Sequence, residues 1–147
     1  MKKIILFTGF ISLFGLIILI AACSSGSQPT ADNPIQGKVV KTATVNNLTV
    51  TLSTDDGVIK RGDEEFTLSF ADASGKAVDI GAASLNFFMP AMGSMSAMND
   101  PATLTTTGTP GVYRGTAKIE MAGEWQVQIV YEGAAGKGKT SFPITAQ

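Results

Sequence analysis

From Leu48 to Ile144, large apolar residues recur at every second position in short bursts. Nothing else in the chain limits its fold so tightly. Leu48, Val50 and Leu52 alternate with Thr49, Thr51 and Ser53. Phe66, Leu68 and Phe70 alternate with Thr67 and Ser69. Successive side chains on a strand point to opposite faces, so a period of two marks strands with one buried and one wet face. Leu85, Phe87 and Met89 form a third set, with Asn86 and Phe88 on the other face. Thr103 to Thr107 is a weaker strand built on β-branched residues. Tyr113, Ala117, Ile119 and Met121 share a face, then Trp125, Val127, Ile129 and Tyr131, then Phe142 and Ile144.

Turn chemistry separates the bursts. Asp55-Asp56-Gly57, Asp72-Ala73-Ser74-Gly75 and the glycine-rich run from Gly133 to Gly138 each favour a reversal. Ala122-Gly123 reads as a tight hairpin between two strong strands. No segment after residue 35 carries a helical period. The pattern predicts an all-β fold, an antiparallel β-sandwich of about seven strands. The chain's single cysteine, Cys23, excludes the disulfide pair of an antibody-type domain but not the sandwich.

The first 22 residues follow a different rule. Lys2 and Lys3 precede an uncharged apolar run from Ile4 to Ile20, followed by Ala21, Ala22 and Cys23. This is the pattern of a secretory signal. Ile20-Ala21-Ala22-Cys23 resembles the lipobox of bacterial lipoproteins. The resemblance implies cleavage before Cys23, a diacylglycerol on its thiol and acylation of the new amino terminus. The competing expectation is an uncleaved membrane helix, since the run is just long enough to span. Either places the domain outside the cytoplasm. Ser24, after the cysteine, fits the outer membrane facing the periplasm if the cell is Gram-negative. The expected organisation is a signal peptide at 1–22, a lipidated cysteine and flexible linker at 23–43, and a β-sandwich domain at 44–147. Pro29, Pro34 and small polar residues give the linker its character.

Composition narrows the chemistry. Taking Lys2 and Lys3 from the 11 Lys and Arg leaves nine against 12 Asp and Glu, a balance of −3 for the cleaved protein. No basic run exists, so nucleic acid is not an expected partner. Histidine is absent, which removes the commonest general base and the commonest metal ligand together. A lipidated Cys23 is consumed as a nucleophile. Asp55-Asp56 and Asp63-Glu64-Glu65 read as solvated turn carboxylates; their spacing selects no Ca²⁺ site. No enzyme is expected.

One stretch has no place in this bland account. Met89-Pro90-Ala91-Met92-Gly93-Ser94-Met95-Ser96-Ala97-Met98 carries four of the chain's six methionines at a spacing of three. Core-filling methionines have no reason to cluster. Thioethers are soft, neutral donors that favour Cu(I) over Zn²⁺ or Ca²⁺. Extended backbone would start successive sulfurs about 9 Å apart, so a shared ion needs a loop that curls. Gly93 and the small residues around it permit that, with Pro90 and Pro101 bracketing the loop and keeping it out of the sheet. Met89, Met92, Met95 and Met98 are therefore the candidate metal ligands. Met89 is also in phase with Leu85 and Phe87, which argues for the core. Met92 and Met95 have no strand register, and Met98 precedes an Asn99-Asp100-Pro101 turn. Met121 and Trp125 are expected in the core, the latter with a minority role against a bound cation.

Three segments in order carry a family resemblance: Phe88-Met89-Pro90-Ala91-Met92-Gly93, Gly111-Val112-Tyr113-Arg114-Gly115 and Ala122-Gly123-Glu124-Trp125-Gln126-Val127. Together they resemble the YtkA-like domain, related to the soluble part of FixH-like proteins, over roughly residues 45–145. The resemblance implies an extracytoplasmic immunoglobulin-like β-sandwich. It also implies a setting of copper handling, respiratory oxidase assembly or metal-efflux adaptors. Many relatives carry histidine beside the Met-Pro-x-Met-Gly segment; here that place reads Ser94-Met95-Ser96-Ala97-Met98. An all-thioether Cu(I) site is the expectation that survives. The alternative is a metal-free interaction module whose methionine loop is an adaptable apolar contact for an envelope protein.

Overall fold

The structure, a computed structural model, describes residues 37–147. The signal peptide and Cys23 lie outside the described residues. The described residues form nine strands and no helix. They are β1 (Lys38–Val45), β2 (Leu48–Thr54), β3 (Gly62–Ala71), β4 (Ala82–Met89) and β5 (Met98–Pro101). β6 (Thr103–Thr106), β7 (Val112–Ile119), β8 (Gly123–Gly133) and β9 (Gly136–Ala146) follow.

One sheet runs β1-β2-β3-β7-β6 and the other β5-β4-β8-β9, with every strand pair antiparallel. Strands β2-β3-β7-β6 repeat the A-B-E-D order of an immunoglobulin-type sandwich, and β5-β4-β8-β9 repeat C′-C-F-G. β1 is an extra strand on the outer edge of the first sheet.

The inward residues of the period-two bursts meet between the sheets. Leu52, Leu68, Phe87, Val127 and Ile129 are fully buried. Phe66 of β3 meets Phe87 of β4 edge-on at 5.8 Å between ring centres, and Phe70 meets Tyr131 at 5.6 Å. Both contacts cross from one sheet to the other. Gly115 lies opposite Phe66 in the ladder, and a Cβ there would overlap the Phe66 ring. The Tyr113 hydroxyl donates to the Gly81 carbonyl at 2.6 Å, joining β7 to the start of β4. Burial, with Asp79 nearby, holds that phenol above its ordinary pKa.

Three expectations need correction. Lys38–Val45 is strand rather than linker, so the ordered domain starts before residue 44. A register shift between Val39 and Lys41 breaks its alternation, so Val40, Ala43 and Val45 pack inward at uneven spacing. Ala122-Gly123 is not a hairpin. β7 pairs with β3 and β6, whereas β8 pairs with β4 and β9, so residues 120–122 carry the chain from one sheet to the other. Finally, Asn99-Asp100-Pro101 is not a turn outside the sheet but most of edge strand β5, where Pro101 sits without interrupting an interior ladder.

Candidate functional site

The methionine stretch is a hairpin. Met92 and Met95 form an isolated antiparallel bridge closed by two backbone hydrogen bonds. The Met92 N–H donates to the Met95 carbonyl at 3.1 Å, and the Met95 N–H donates to the Met92 carbonyl at 2.9 Å. Gly93 and Ser94 make the two-residue turn. Gly93 has φ +59°, and Ser94 is not among the residues of positive φ. Positive φ at the first central position alone is the pattern of a type II′ turn, which glycine favours there.

Register then sorts the four sulfurs. Met89 of β4 lies opposite Met98 of β5, so the methionines fold about Gly93-Ser94 into two cross-strand pairs. Met92 lies three positions after Met89, and an odd offset along extended chain reverses the face. Burial agrees. Met89 is 1% exposed, whereas Met92 is 53% and Met95 39% exposed. Met98 is half-buried and packs against the core. Opposite side chains across an antiparallel pair start from Cβ atoms about 4.5–5.5 Å apart, so the Met92 and Met95 thioethers can converge without rearranging the backbone. The curl that a shared ion requires is thus supplied for one pair, not for all four residues at once.

Met89 is held by the neighbouring strand. A Cβ on Gly123 would approach the Met89 methyl carbon to 3.2 Å. Gly123 itself has φ +140°. The glycine that suggested a hairpin instead clears space for Met89 where β8 begins. Trp125, also buried, donates its indole N–H to the Met121 carbonyl at 3.0 Å and so ties the crossing segment to β8. The ring is a core element rather than a cation platform. Met121 is only partly buried against the core, because it lies in the crossing segment and not in β7.

The rest of the hairpin is anchored by side chains. Asn86 Nδ2 donates to Asn99 Oδ1 at 2.8 Å, linking β4 to β5. The Asp100 carboxylate accepts the Glu120 N–H at 3.2 Å, joining β5 to the crossing segment. Pro90 to Ala97, the tip itself, contains no charged residue.

Among the described residues, the carboxylates do not assemble a hard-metal site: no three His, Cys, Asp or Glu gather as metal ligands. Asp63, Glu64 and Glu65 edge an open concavity with Thr103 and Lys118, which contains none of the methionines. Partial burial raises the Glu64 carboxyl above its ordinary pKa, opposed by the Lys60 N–H it accepts at 3.1 Å.

The Met92–Met95 pairing is the feature that reading the sequence as one uniform loop missed. Its signal was present: a Gly-Ser dipeptide flanked symmetrically by methionines at one and four residues on either side.

Compared with known proteins, the chain matches the family described as YtkA-like over residues 42–130. No curated protein matches it. The matched segment holds both methionine pairs, Tyr113 and Trp125.

Proposed function

This chain belongs to the YtkA-like family, and from that premise we propose a binding protein rather than a catalyst. It is lipid-anchored through Cys23 outside the cytoplasm, and its hairpin tip holds Cu(I) reversibly in copper handling or respiratory oxidase assembly. Met92 and Met95 are the primary ligands. Met98, half-buried opposite Met89, faces the other side of the hairpin and does not join this pair as a ligand. Met89, placed in the core, leaves the ligand set.

The observation that carries this reading is the exposed cross-strand pair of thioethers at the tip. Two neutral sulfur donors without histidine or carboxylate select a soft monovalent ion over harder divalent ones. The turn fixes their backbone spacing before the ion arrives, which lowers the ordering entropy lost on binding.

The test is competition for Cu(I) between the soluble domain and a chromogenic chelator, run beside the Met92→Leu/Met95→Leu double variant. The parent should withdraw Cu(I) from the chelator and the variant should not. Equal, weak competition by both would sink the copper reading.

Exposure of Met92 and Met95 also favours a second reading, a metal-free contact for an envelope protein. Leucine would then substitute well for methionine and serine would not. Partner capture that survives the double leucine variant but fails in Met92→Ser/Met95→Ser would favour contact over coordination.

A further inference from the structure

Where the domain receives its N-terminal segment bears on what its tip can touch. Gly37 leads into β1, and Lys38 lies opposite Thr54, the last residue of β2. Gly37 packs so close to Thr54 that a Cβ on it would overlap the Thr54 carbonyl. β2 ends toward the end of the sandwich where β3 begins, because Ser53 lies opposite Thr67 and Thr49 opposite Ala71. Gly62, the first residue of β3, is opposite Ile119, the last of β7. After the crossing segment β8 starts, with Gln126 opposite Phe88 near the end of β4. The same end therefore holds Gly37, the crossing segment and the methionine hairpin. The opposite end holds the β1–β2 turn at Asn46-Asn47 and the β8–β9 turn at Ala134-Ala135.

We infer that the methionine tip is the membrane-facing pole of the protein and that its uncharged surface rests against the lipid bilayer. This inference rests on the Cys23 anchor of the proposed function. Thirteen residues, 24–36, separate Cys23 from Gly37, and a chain of that length reaches at most about 45–50 Å. Across the first sheet, β1 and β6 are about 19 Å apart at the usual strand spacing, so the tip lies within reach of the anchoring bilayer. Presenting the far end instead would use up most of that reach in a run back along β9, 11 residues or about 35 Å, so the near end is the one a slack segment favours.

Composition selects lipid as the occupant. Pro90 to Ala97 carries no charge, and Met92 and Met95 expose apolar, deformable side chains at its apex. Such a tip loses no ionic hydration on entering a headgroup layer. The anchor also guarantees a bilayer nearby at high effective concentration, so a weak contact suffices. Lipid contact and Cu(I) coordination use the same two sulfurs, so a Cu(I)-loaded tip, now cationic, should withdraw from neutral lipid.

The experiment uses the full-length lipidated protein in phosphatidylcholine vesicles. With Cys23 acylated, Ser94→Cys supplies one free thiol for an environment-sensitive fluorophore; Ser96→Cys is a second tip position and Ala135→Cys the far-end control. The expected result is blue-shifted emission at 94 and 96, quenched by nitroxide lipids, with aqueous and unquenched emission at 135. Aqueous emission at both tip positions in a protein whose mass confirms lipidation overturns this inference alone. A tip that turns apolar only in native membranes also overturns it, in favour of a protein partner. A mass that retains residues 1–22 with a free Cys23 overturns the anchor and the inference together.

Discussion

The two rungs of the methionine hairpin are chemically identical and structurally opposed. Met89 and Met98 face each other where β4 and β5 pair; Met92 and Met95 face each other across the turn. Yet Met89 is sealed between the sheets and Met92 projects into solvent. Residue type and spacing do not separate the pairs. Register does, because three residues along extended chain is an odd step. The inner rung completes a core, and the outer rung is free to act.

Breaking the inner rung should have the largest effect. Met89→Ala leaves a cavity in the packed end of the sandwich and should destabilise the domain by about 2–5 kcal/mol. Met92→Ala, exposed, should shift stability by no more than about 0.5 kcal/mol. Chemical denaturation of the two single variants measures the contrast, and equal losses would refute the division. Gly123→Ala attacks the inner rung from outside. Its Cβ crowds the Met89 methyl and its φ of +140° becomes strained. A loss of about 1–2 kcal/mol is expected by the same assay, partly relieved when Met89 is also shortened to valine.

The outer rung is sharpened by Gly93→Ala. A Cβ there meets nothing within 4 Å, so the penalty is backbone strain at φ +59° alone, about 1 kcal/mol. The strain is local, so the melting transition should move by a few degrees, while the amide signals of Met92 and Met95 should show the bridge opening.

The smallest effect lies at the opposite end of the molecule. One oxygen of Asp72 accepts from the Ser74 hydroxyl at 2.6 Å, the Ser74 N–H at 2.8 Å and the Lys76 N–H at 3.1 Å. The Ser74 hydroxyl, then the Lys76 amide, hold its carboxyl below the ordinary range. A carboxyl lowered by folding contributes stability above its unfolded pKa and loses it as pH falls through the folded value. Asp72→Asn should therefore flatten the acid limb of a pH–stability profile and leave the methionine end unchanged.

Much of this fold was legible because its strands obey local rules. Leu48, Phe66, Leu85, Trp125 and Phe142 each announced a face that the structure buries. What escaped depends on relations between distant residues. β1 was hidden by the register shift near Val40. Ala122-Gly123 has the look of a hairpin because such a dipeptide does not reveal whether its flanking strands pair with each other, and here they do not. Ile59 and Ile80, both fully buried, come from segments between strands where alternation gives no guide. At the candidate site, the suspicion that Met89 belonged to the core rested on its phase with Phe87. The pairing of Met92 with Met95 required treating Gly93-Ser94 as the centre of symmetry rather than as filler.

The division between the rungs is tested most directly by methyl-resolved NMR of the soluble domain, with all methionines ¹³C-labelled, during titration with Cu(I). The account predicts large shifts for the Met92 and Met95 methyls, a smaller one for Met98, and none for Met89, enclosed against Gly123. Shifts of Met89 matching those of Met92, or an unmoved outer pair at saturating Cu(I), would contradict it.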